Sequence, residues 1–130
     1  MHFAHDLAAE SAGEPAIDRV HLARQTDGDA ALEIELLALF DRQAGSLLTE
    51  LSNEGSARRC RADMAHKLRG SALAIGAGRV ASASQTLETL LNRDGSRPHD
   101  RKRALDGLAA AVAEARAEIA ELLGRATPGF

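Results

Sequence analysis

The sequence predicts an all-α protein, an up-and-down four-helix bundle with a short extra N-terminal helix. Three observations carry that expectation. Only three of the 130 residues are aromatic, all Phe, so the core must be aliphatic, which suits packed helices better than a β-sandwich. Apolar residues recur at three- and four-residue intervals through four long segments. The breaks between these segments are short runs of Gly, Asn, Asp, Ser and Pro, as antiparallel neighbouring helices require.

A chain of this length holds a single core. Residues 1–15 are small, polar and aperiodic and are expected to form a mobile tail ending at Pro15, with the bundle domain at residues 16–126. Residues 17–24 suit a short helix stopped at Gln25-Thr26-Asp27-Gly28, where Asp27 or Asp29 is placed to cap the next helix. In that second helix Leu32, Leu36, Phe40, Leu47 and Leu51 make an apolar stripe that ends near Ser52-Asn53-Glu54-Gly55. One polar residue, Gln43, falls on the stripe.

Ser56 is placed as the N-cap of the third helix, and Gly76 with Gly78 supplies its stop. Val80, Leu87, Leu90 and Leu91 share one side of the fourth, which ends at Asn92-Arg93-Asp94-Gly95. Pro98 restarts the chain. Leu105, Leu108, Val112, Ala115, Ile119 and Leu122 give the last helix a heptad-like spacing, closed by Thr127-Pro128-Gly129.

The third helix contains the run Ala65-His66-Lys67-Leu68-Arg69-Gly70-Ser71-Ala72, the stretch whose spacing points to chemistry. At about 100° per residue, Cys60, Met64, Leu68, Ser71 and Ile75 fall within an arc of roughly 80°, with His66 on the opposite side. This wheel makes Cys60 a core residue and presents His66 to solvent. Gly70 stands one turn on, where a side chain would crowd the imidazole, at a cost of roughly 1 kcal/mol in a helix interior. A neutral imidazole is a nitrogen nucleophile near neutral pH, and its phosphoramidate is reactive enough to pass a phosphoryl group onward. Arg69 and Lys67 are within reach of the phosphoryl oxygens. Leu73 shares the outward arc of His66, which suits a contact surface better than a core.

This segment resembles the active-site helix of the histidine phosphotransfer (HPt) domains of bacterial phosphorelays, whose signature is matched by His66, Lys67, Leu68, Arg69, Gly70, Ser71 and Ala72, followed by Gly76-Ala77. Residues 22–51, with Thr26-Asp27-Gly28-Asp29 and Phe40, resemble the two preceding helices of the family, and Leu87-Glu88 the end of the following one. The resemblance implies that His66 accepts a phosphoryl group from a receiver-domain aspartate of a hybrid histidine kinase and passes it to a response-regulator aspartate. It implies a monomeric carrier with no kinase or ATPase activity and no cofactor of its own, the Mg²⁺ belonging to the receiver. It further implies that Gln43 holds the ring nitrogen that is not phosphorylated, and that Arg59, Ala62 and Leu73 belong to the docking face. Two other readings compete: a helical adaptor that binds a receiver or kinase without being phosphorylated, and the dimerising part of a histidine kinase. The second lacks an accompanying ATP-binding segment.

Composition excludes several classes. The net charge of −3 argues against general nucleic-acid binding, yet residues 58–69 carry Arg58, Arg59, Arg61, Lys67 and Arg69 against Asp63 alone. That local excess of four positive charges leaves −7 elsewhere and suits docking on an acidic partner pocket. A single Cys forms no internal disulfide, and neither a signal peptide nor a membrane span is evident, so a cytoplasmic location is expected. His2 and His5 lack further ligands for a metal, and His21 and His99 read as surface or cap residues. Gly76-Ala77-Gly78 has neither the preceding strand nor the following Lys of a nucleotide loop.

Overall fold

The first two helices of this chain begin where an aspartate takes up a free backbone amide. The computed structural model describes residues 15–126, in which five helices follow one another: α1 (Arg19–Gln25), α2 (Ala30–Leu51), α3 (Arg58–Ile75), α4 (Gly78–Asn92) and α5 (Pro98–Ala126). Asp18 caps α1 by accepting the His21 amide at 3.1 Å, and Asp29 caps α2 by accepting that of Leu32 at 3.1 Å. Asp27 instead turns the chain, with φ of 56° ahead of Gly28 at 76°. The first helix starts later than its sequence pattern suggests, because Ile17 is buried ahead of it as part of the incoming strand of chain. The expected tail, with His2 and His5, and the Thr127-Pro128-Gly129 stop lie outside the described residues.

Ser56 does not cap α3. Its amide is spent on the carbonyl of Asn53 at 3.2 Å, within a turn that Asn53 also braces by accepting the Gly55 amide. The helix therefore starts from Ala57 with no side-chain cap. At the other end Gly76 takes the left-handed conformation, φ 78°, and the Ala77 amide reaches back to Ala72 at 2.8 Å in a Schellman closure. Gly78 is the first residue of α4 rather than part of the stop.

The four long helices close a ring, α2 on α3, α3 on α4, α4 on α5 and α5 back on α2, while α1 lies against α3. This is the all-α bundle with a leading short helix that the sequence predicts. Phe40, Leu51, Leu68, Ile75, Leu87, Leu108 and Ile119 fill its centre. On α2 the buried stripe is Leu37, Phe40, Ala44, Leu47 and Leu51, so Leu32 and Gln43 fall at its edges and are exposed. Gly45 leaves room on α2 for the Arg116 guanidinium of α5, which donates to Asp41 Oδ1 at 2.8 Å. The hydrogen bond to that carboxylate, aided by its charge, raises the Arg116 pKa above its ordinary value.

The face that α3 buries decides where its functional side chains go. Arg61, Ala62, Ala65, Leu68, Ala72 and Ile75 are inside, a stripe turned about 70° from the one drawn through Cys60 and Met64. Half of these six are alanines, small side chains that a hydropathy stripe drawn through Cys60 and Met64 passes over. Two sequence expectations fall with the rotation. Cys60 is exposed, not core. Ala62 is buried to 1 % exposure and is therefore not on an outward docking face.

Candidate functional site

The same rotation carries His66 from the far side of α3 to the flank facing α4. Its side chain is 65 % exposed, and Nδ1 lies 3.1 Å from Glu88 Oε2 and 3.3 Å from Oε1. Glu88 is itself only 20 % exposed, held at the shoulder of the α4 stripe between Ser84 and Leu91, both buried. An ionised carboxylate only accepts, so this contact fixes the neutral ring with its proton on Nδ1 and its lone pair on Nε2. Nε2 has no hydrogen-bond partner among the described residues.

Arg69, one turn along α3, reaches the other side of the same carboxylate, with Nη1 3.9 Å from Glu88 Oε1. Glu88 thus stands between an imidazole and a guanidinium. Lys67 is exposed about 100° further round the helix and makes no hydrogen bond or ion pair among the described residues. Gly70 is exposed on the His66 side, and a Cβ built there meets nothing within 4 Å. The glycine is therefore not needed to uncrowd the imidazole within the chain itself.

Gln43 does not hold the ring. It is exposed on α2, where its Oε1 accepts from Ser71 Oγ at 3.4 Å, on the side of α3 turned away from His66. The ring's partner comes from α4, and the sequence marked it only through the resemblance of Leu87-Glu88 to the end of the family's following helix, with no role attached. Leu73 is 50 % exposed, two turns beyond His66 on the same flank. Arg59 is exposed as well.

The basic run is partly consumed by the fold. Arg61 Nε donates to the Leu51 carbonyl at 3.0 Å, and Arg58 to that of Arg93 at 3.2 Å with Asp94 beside it, so two arginines complete the C-termini of α2 and α4. Arg69 is engaged with Glu88. Among the described residues, Arg59 and Lys67 are the cations near His66 left without such a partner.

The described residues thus hold an exposed imidazole beside a carboxylate on a four-helix bundle. The sequence model of the Hpt domain matches residues 35–122, about two-thirds of the chain and all of α3 and α4, and the chain belongs to that family. Neither a curated protein nor a solved structure matches it. Membership ties the protein to two-component phosphotransfer and to receiver or response-regulator partners in general. Among the described residues, no helix is long and apolar enough to cross a membrane.

Proposed function

We propose that the protein is a phosphorelay intermediate that accepts a phosphoryl group on His66 Nε2 from a receiver-domain aspartate and passes it to the aspartate of a response regulator. The observation that supports this most is the Glu88 contact, which leaves the lone pair of an exposed ring on the outward nitrogen. In the first step the Nε2 lone pair attacks phosphorus, the N–P bond forms, and the O–P bond of the aspartyl phosphate breaks. Its electron pair stays with the departing carboxylate. The ring then carries a positive charge, which Glu88 faces at Nδ1. Transfer onward reverses these bonds at the second aspartate, with no net oxidation and no proton lost.

In this reading Arg69 and Lys67 meet the phosphoryl oxygens, and Mg²⁺ sits in the acidic pocket of the receiver. Gly70 keeps open the space that an in-line partner must enter. Arg59 and Leu73 meet that partner, and the protein acts in the cytoplasm as a monomeric carrier without kinase or ATPase activity. Incubation with a phosphorylated receiver domain should load acid-labile, base-stable phosphate on wild type and none on His66→Gln. Equal labelling of the two would exclude His66 as the acceptor.

A further inference from the structure

The chain enters the bundle through a short strap. The Ala16 amide donates to Glu118 Oε1 at 3.0 Å and the Ile17 amide to Oε2 at 3.2 Å, so one carboxylate of α5 takes both amides. Ala16 and Ile17 are buried there, and an amide in such a place needs its partner. The next residues fasten α1 to the end of α3: the Asp18 amide donates to the Gly76 carbonyl at 2.8 Å, and His21 Nε2 to that of Leu73 at 2.8 Å. The result is a cleft lined by the exposed Val20 (62 %) and Leu73, the buried Ile17, and Arg19 and Gly76.

This cleft lies in the path of any partner that reaches His66. Leu73 is about 10 Å along the same flank of α3. A specific contact covers about 800 Å² per partner, a disc of roughly 16 Å radius. A receiver centred on His66 therefore covers Leu73 and comes to the cleft that Leu73 and Val20 both line. The exposed Arg19 offers that acidic partner a cation at the same edge.

We propose that Glu118 is a remote positioning residue for receiver docking: by latching the Ala16 and Ile17 amides it holds α1 in place, and with it the Val20 half of the docking face. The proposal rests on the phosphotransfer reading and separates from it in experiment, because Glu118 acts on partner affinity and not on the reactivity of His66. The probes are receiver domains loaded with acetyl phosphate, and the readouts are KM and kcat of transfer together with amide hydrogen exchange. Glu118→Ala is expected to raise KM about tenfold with kcat unchanged. It should also speed exchange at Leu22 and Thr26 while Leu108 and Val112 stay protected. Glu118→Gln, which keeps one acceptor, should fall between.

Val20→Ser alters an exposed side chain without touching the latch, so it tests the docking half even where Glu118→Ala fails to fold. It should raise KM severalfold with α1 exchange unchanged. An unchanged KM in Val20→Ser, or a loss confined to kcat in Glu118→Ala, would overturn the latch while leaving phosphotransfer intact. Absence of transfer to wild type from every receiver would instead overturn the phosphotransfer reading, and the latch with it.

Discussion

Which nitrogen of a histidine reacts depends on what holds the other, and here Glu88 holds Nδ1. Removing that acceptor lets the proton move to either nitrogen and, in the proposed relay, leaves the charge of the ring unopposed once it carries phosphate. Glu88→Ala should therefore lower the transfer rate about tenfold, equivalent to about 1.4 kcal/mol, with Glu88→Gln less affected because its carbonyl still accepts. Single-turnover transfer from a phosphorylated receiver measures this, and a rate equal to wild type would deny Glu88 its role. Ser84, a turn away, is fully buried, and its Oγ has no partner among the described residues. Ser84→Ala should leave stability unchanged or raise it by about 1 kcal/mol in urea unfolding, since the hydroxyl's desolvation is uncompensated. At this scale the sequence was legible where neighbours in one helix sufficed. The exposure of His66 and its proximity to Arg69 follow from spacing alone. The partnership with Glu88 does not, because it depends on the distance between two helices, and Gln43 was assigned the ring on family resemblance without that distance.

Helix ends were read well where a side chain makes the cap and poorly where tertiary contacts choose it. Asp29 and Gly76 act as their residue types suggest, and Asp29→Ala should cost about 1 kcal/mol of stability. Ser56 was displaced by a turn that already used its amide. Gly76 has a second reason to be glycine that no helix rule reveals: a Cβ there would sit 2.8 Å from the Asp18 carbonyl oxygen. Gly76→Ala should thus strain the left-handed cap and push α1 away together, lowering stability by about 2 kcal/mol or more. Thermal unfolding near that of wild type would show that the junction is softer than its geometry implies. The facing of α3 was misread for a related reason. Hydropathy favoured Cys60 and Met64, whereas the fold buries the small residues Ala62, Ala65 and Ala72.

Across the whole molecule, charge is divided between fold and partner. Arg58 and Arg61 serve helix C-termini, while Arg59 and Lys67 remain exposed beside His66 on a chain of net charge −3. Receiver binding should weaken as salt is raised from low to physiological strength, and Arg59→Glu should slow association while leaving stability within about 0.5 kcal/mol. Stopped-flow association across a salt series checks both, and a salt-independent rate would remove electrostatics from docking. The bundle's topology was legible because short connections and four apolar stripes admit few arrangements, but the separation of its helices was not. That separation gives the three buried alanines of α3 a further meaning. Ala62, Ala65 and Ala72 keep the buried side of α3 small, and the spacing of α3 from α4 carries a chemical distance, the 3.1 Å between the His66 ring and the Glu88 carboxylate. A bulkier side chain at Ala65 would widen the gap like a shim and alter the tautomer of His66 without touching it.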